Sequence, residues 1–251
     1  MTFKPLRILL ACCLPVVGRA QQNDATVPVQ IRAVLHDPVH PAAELFLMDK
    51  TGAVVKLELV REGLSKAQFA LPVNGSLMLY NSAAIDPKKP LANLAASTKL
   101  PPDIRRAMLI ILPKPPDPKA ADANAADAKP TYRMVLIDDS AKAFPQGESR
   151  VLTLMPVEAA IQAGEHRLPV HPRVITNVPP VRKVNEYNLA QTNFYYKQGD
   201  SWVPFTERKL QYLDAFRRVF IIHLTPGAVQ PVVTTIVDTT PATPPRAGPP
   251  R

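Results

Sequence analysis

The chain has 251 residues, a formal net charge of +9, 29 prolines, 9 glycines and 2 cysteines. That length can bury a full core as one large domain or two small ones. No Lys/Arg block forms a nucleic-acid arm, which excludes nucleic acid as an expected partner, and both cysteines, Cys12 and Cys13, fall within the first 20 residues.

Residues 1–20 carry the three parts of a secretory signal in order: the bases Lys4 and Arg7, an apolar run from Ile8 to Leu14, and the small residues Gly18 and Ala20. Cleavage after Ala20 is expected to leave a periplasmic or extracellular chain. The apolar run is far shorter than the roughly 20 residues that span a bilayer, so the mature chain is expected to hold no transmembrane segment. Cleavage also removes Lys4, Arg7 and Arg19, lowering the charge from +9 to +6, and takes both cysteines. An alternative reads Leu9-Leu10-Ala11-Cys12 as a lipoprotein signal with Cys12 acylated.

From Asn23 onward short apolar runs rich in Val, Ile, Leu and Tyr alternate with Pro, Asn, Asp and Gly, as in a sandwich or barrel. Val29-Gln30-Ile31-Arg32-Ala33 and Lys56-Leu57-Glu58-Leu59 alternate with period two, predicting strands with one wet face. Lys50-Thr51-Gly52-Ala53 reads as a hairpin turn. Asn74-Gly75-Ser76 fits a glycosylation acceptor, but better fits a tight turn before the strand Leu77 to Tyr80. Only 87–96 and 209–216 could hold a turn or two of helix.

An internal repeat organises these runs. Arg105-Arg106-Ala107-Met108-Leu109-Ile110-Ile111-Leu112 returns as Arg217-Arg218-Val219-Phe220-Ile221-Ile222-His223-Leu224. Each copy is followed by a second strand, Met134 to Asp138 and Thr234 to Asp238. The stretch 114–130, rich in Ala, Asp and Pro, resembles a linker, yet the repeat makes it an insertion in a hairpin loop. More loosely, Ile31 to Leu35 matches Arg150 to Leu154, and Glu44 to Leu47 matches Glu158 to Ile161. The expected fold is all-β: two tandem immunoglobulin-like antiparallel β-sandwiches related by duplication, at 24–139 and 147–239, with the boundary in Ser140 to Gly147 and a disordered Pro-rich tail at 240–251.

Candidate chemistry is sparse. His36, Asp37 and His40 offer donors suited to zinc, but Pro38 and Pro41 make the segment a turn leaving a strand, and a polar loop is the plainer reading. His166 and His171 flank another extended segment. Asp138-Asp139-Ser140 cannot supply facing carboxylates, because adjacent strand residues point to opposite faces. The paired arginines could clamp an anion, but at a strand edge they would serve to keep that edge soluble. Aromatic residues gather in the second copy, and Tyr195, Trp202 and Tyr212 are the candidate members of a ligand-binding patch, since flat rings with polar edges suit sugars or peptides.

No cofactor is called for. The expected protein is an exported, non-catalytic envelope or extracellular molecule with a binding or structural role towards an envelope polymer, a glycan or another protein. The alternative is a secreted hydrolase with its site between the two halves, which would need an acid from one copy to approach a His or Ser of the other.

Overall fold

The computed structural model describes residues 27–37, 44–60, 63–85, 91, 93–114 and 132–239. The signal, most of the insertion and the Pro-rich tail therefore lie outside the described residues.

The first half contains β1 (Val29–Leu35), β2 (Phe46–Met48), β3 (Val54–Lys56), β4 (Gln68–Ala70), β5 (Ser76–Tyr80), β6 (Leu94–Lys99), β7 (Arg106–Pro113) and β8 (Tyr132–Asp138). The second contains β9 (Ser149–Thr153), β10 (Ala159–Ala163), β11 (His166–Val170), β12 (Thr176–Val178), β13 (Leu189–Gln198), β14 (Ser201–Gln211), β15 (Arg217–His223) and β16 (Val232–Asp238). Each half is a sandwich of two four-stranded sheets. Their orders are β4-β1-β7-β8 and β3-β2-β5-β6 in the first, and β12-β9-β15-β16 and β11-β10-β13-β14 in the second. Every strand of the first half thus has a counterpart eight strands later in the same place.

Several expectations are corrected. The sandwiches are not wholly antiparallel, because β1 runs parallel to β7 and β9 parallel to β15. The four-plus-four sheets also differ from the four-plus-three of a constant-type immunoglobulin domain. Among the described residues there is no helix, and none long and apolar enough to cross a membrane. Leu94 to Ala96 lie in β6 and Lys209 to Gln211 in β14, where cross-strand pairing and burial of one face override a weak local preference.

Both expected turns form: Asn74 and Gly75 take positive φ (49° and 68°) in a two-residue turn closed by reciprocal bonds between Val73 and Ser76, and Gly52 (φ 84°) turns between β2 and β3. β7 and β8 pair antiparallel from Ala107 with Asp138 to Pro113 with Tyr132.

The inner sheets are buried on both faces, which explains the unbroken apolar run of β7. Ala107, Leu109 and Ile111 face the core of their own sandwich, with Ile31, Leu47 and Leu79. Met108, Ile110 and Leu112 face the other sandwich and pack with Val219, Ile221 and Ile236. The molecule is therefore a stack of four sheets with three apolar strata. The middle stratum fixes the true register of the repeat. Met108 corresponds to Val219 and Ile110 to Ile221, so Arg106 corresponds to Arg217, and Asp139, level with Arg106, corresponds to Asp238. Pairing Arg105 with Arg217 and Asp138 with Asp238 slips both strands by one residue, which would exchange their faces.

Nor are the arginines surface residues. Arg32, on the supposed wet face of β1, and Arg217 are both buried in the seam with Asp139 and Asp238, none of the four more than 5% exposed. Arg32 holds Asp139 through Nε and Nη2 (2.8 and 2.7 Å) and Asp238 through Nη1 and Nη2 (2.8 and 2.7 Å). Arg217 donates through Nη2 to Asp139 (2.7 Å) and to Asp238, and through Nη1 to the carbonyl of Phe144 (3.0 Å). Each arginine thus touches one carboxylate from each sandwich, and the four charges cancel. Burial alone would lower the pKa of Arg32, but hydrogen bonds and charge from Asp238 and Asp139 hold it above arginine's ordinary value. The connection between the halves is fixed in the same place, with the fully buried Phe144 ring under the guanidinium groups of Arg150 (4.3 Å) and Arg217 (4.7 Å).

Removing one member should leave an uncompensated buried charge. Arg32→Met or Asp139→Asn is expected to lower the unfolding free energy in urea by about 3–5 kcal/mol. The double variant is expected to lose clearly less than the sum of the singles; additive losses would show that the four groups do not act as a unit.

Candidate functional site

The strands that carry the charged ring at one end of the seam carry two histidines at the other. His223 is the last residue of β15, six positions beyond Arg217, or roughly 20 Å along an extended strand. His36 follows β1, and its backbone N–H continues the parallel ladder by donating to the Ile111 carbonyl (2.9 Å). The two rings meet edge to face across the seam, with centroids 4.5 Å apart and planes at 72°.

Both imidazoles are buried. Burial, with the neighbouring His223 adding to it and Asp37 opposing, pushes the pKa of His36 down to about 4. Burial likewise lowers that of His223. Both rings are therefore neutral at pH 7. His223 Nε2 lies 3.0 Å from Thr234 Oγ1, whereas His36 Nε2 is buried with no hydrogen-bond partner among the described residues. An orphaned buried polar atom is costly.

These rings form the floor of a cleft of about 610 Å³ between the two sandwiches. Its first wall is the end of the β7–β8 hairpin, Leu112 to Lys114 with Arg133. Its second is the 154–157 loop, with Met155 and Val157, beside Tyr196. The β15–β16 loop closes it with Leu224, Pro226, Val229 and Pro231, of which Leu224 is 53% and Val229 93% exposed. A second groove of about 500 Å³ shares Arg133, Leu154, Met155 and Pro156 with the cleft and continues it past Val135, Leu152 and Ile175. Exposed large apolar side chains gathered at one concave place mark a binding surface more often than a defect.

The residues singled out from sequence are dispersed. His36 and Asp37 both line the cleft, but His40 lies outside the described residues. Among the described residues no three His, Cys, Asp or Glu groups stand close enough to hold a metal. His166 bonds through Nε2 to the Pro180 carbonyl (3.1 Å), and the exposed His171 pairs with Glu158 (3.0 Å).

The aromatic triad is not one patch. Tyr212 is buried in the second core with its hydroxyl 2.8 Å from that of Thr192, burial raising its pKa, and Arg218 stacks on its ring at 5.0 Å. Tyr195 and Trp202 do share the outer face of the β11-β10-β13-β14 sheet, since Trp202 opposes Lys197, two residues from Tyr195, and Arg167 stands 5.8 Å from the Tyr195 ring. Ser140 caps the turn after β8, accepting from the Ala143 N–H (3.2 Å). Asp139 is committed to the ring.

Sequence reasoning did not reach His223, Leu112, Met155, Leu224 or Val229. One signal was available: His223 interrupts the otherwise apolar run Val219 to Leu224. No family model matches the chain, and no curated protein matches it in sequence.

The depressed His36 pKa has a consequence for stability. Between about pH 4 and the unfolded value of 6.5, the unfolded chain binds a proton that the native chain refuses. The contribution is present in full above pH 6.5 and lost as pH falls towards 4, amounting to about 2–3 kcal/mol. Urea unfolding of His36→Phe, compared with the parent at pH 7 and pH 4.5, is expected to show a smaller acid destabilisation; equal losses would place the acid sensitivity elsewhere.

Proposed function

We propose that this chain is an exported, non-catalytic binding protein whose ligand site is the cleft between the two sandwiches. One observation carries the reading. An apolar cleft of about 610 Å³, within the size range of small-molecule sites, is walled by large aliphatic side chains that stand exposed, Leu224 and Val229 among them. A ligand that fills the cleft would cover both. The ion ring supports the same reading, because it fixes the two walls relative to each other and so lessens the ordering cost of binding.

The hydrolase alternative draws on the 3.0 Å contact between His223 and Thr234. It is the weaker reading. The imidazole is a poor base with its lowered pKa, and among the described residues no third group orients it by a hydrogen bond.

Titration of the intact protein with the neutral solvatochromic dye Nile red is expected to give saturable binding, reduced at least tenfold in Leu224→Glu with an unchanged melting temperature. Equal binding by the two proteins would remove the cleft as the site. Hydrolytic turnover of ester or amide probes that is lost in Thr234→Ala would overturn the non-catalytic reading.

Export is tested by mass. Protein recovered outside the cytoplasm is expected to begin at Gln21 and to contain no cysteine. An acylated Cys12 would establish the lipoprotein alternative, and a chain retained in the cytoplasm with Met1 to Ala20 intact would overturn export.

A further inference from the structure

Strand register sets the polar groups of the cleft in a row. Leu112 of β7 opposes Arg133 of β8, and on its other side the parallel ladder, which pairs Leu35 with Ile111, continues to bring His36 level with Leu112. His36, Leu112 and Arg133 therefore stand abreast on three neighbouring strands, the outer two roughly 10 Å apart. All three line the cleft. Arg133 is exposed, whereas His36 Nε2 is shut away from solvent. Lys114 is at the same rim, and neither it nor Arg133 makes an ion pair with a described residue. Among the described lining residues one carboxylate, Asp37, stands against these two cations.

The remaining surface distinguishes among ligands. Four prolines line the cleft, Pro113, Pro156, Pro226 and Pro231. None has an N–H to give, so this wall is poorly made for recognising an extended peptide by strand addition, which depends on main-chain pairing. A chain that asks for no hydrogen bonds suits it better. The aliphatic surface continues without a break from the cleft into the adjoining groove, through Leu154 and Met155.

From these observations we propose that the cleft binds a long-chain fatty acid anion, its carboxylate held at the rim by Arg133 and Lys114, its alkyl chain lying along the aliphatic wall. The exposed Arg133 guanidinium suits a carboxylate, to which it can donate two parallel N–H bonds. The inference rests on the reading of the cleft as the ligand site and adds the chemistry of the ligand.

The test is a titration of the full secreted chain with saturated fatty acids of 8 to 16 carbons, below their aggregation limits, alongside methyl palmitate and phospholipid vesicles. Affinity for the acids is expected to rise about threefold to fourfold per added methylene until the cleft is filled, and then to level off. Palmitate should bind at least tenfold more tightly than methyl palmitate. Arg133→Gln should remove most of that difference by weakening palmitate alone, and Leu224→Glu should weaken both.

If palmitate and its ester bind equally, and Arg133→Gln changes neither while Leu224→Glu reduces both, the carboxylate assignment falls and the cleft stands as an apolar site. If neither lipid binds saturably but Nile red does so in a Leu224-dependent way, the fatty acid class is wrong. Binding to vesicles alone, or to an acidic apolar peptide in preference to every acid, also overturns the proposal. Failure of Nile red and all lipids together would remove the site itself.

Discussion

Arg32 shares its guanidinium between Asp139, at the end of its own sandwich, and Asp238, at the end of the other. Arg217 reaches the same two carboxylates from the opposite side. Taking four charges out of water is expensive, and the attraction among them repays that cost only with near-ideal geometry and satisfied hydrogen bonds. Both arginines approach that state, Arg32 through two forked pairs and Arg217 through the carboxylates and the Phe144 carbonyl. Such a ring is a weak argument for overall stability. Its sharper effect is geometric, because an aliphatic seam can slide by small steps with little penalty, while a forked guanidinium-carboxylate pair loses its bonds on displacement by an ångström or two.

The rest of the seam is ordered by that fixed end. From the ring the strands run past Met108, Ile110, Val219 and Ile221, which exclude water, to His36 and His223, where the walls part. The two ends solve the same problem differently. At the ring, buried polar groups stay ionised because each has its opposite charge beside it. At the histidines no opposite charge is close enough to prevail over burial, and the rings lose their protons instead. One end is thereby closed by charge, and the other remains apolar enough to receive an apolar molecule.

Much of the fold was legible from sequence, because strands that bury one face write their period into the residues. The turns at Gly52 and Asn74–Gly75 and the all-β class could be read this way. The register of the repeat could not. Strands buried on both faces have no alternation to anchor them, so the runs Met108 to Leu112 and Val219 to Leu224 align equally well in two phases one residue apart. Only the packing of Met108 and Val219 into a common stratum distinguishes them. Arg32 misled for the complementary reason: it alternates with apolar neighbours as a solvent-facing residue would, and nothing local reports that its far side is a second sandwich carrying two carboxylates.

The cleft was hidden more deeply, since its lining comes from strand ends and loops of both halves that lie far apart along the chain. His36 invited pairing with the nearby His40, although its partner is His223, far along the chain. The repeat, in correct register, sharpens this. His223 occupies the position of Leu112, and Leu154, level with it in β9's continuation, occupies that of His36. Each half thus sets one leucine and one histidine at the mouth of the seam on exchanged strands, so the two imidazoles meet instead of each facing a hydrocarbon partner. A symmetric pair of apolar sandwiches would have closed this end with four leucine-like side chains. Two neutral rings in their place leave in an apolar wall a buried nitrogen unpaired by any described residue, an arrangement that costs stability.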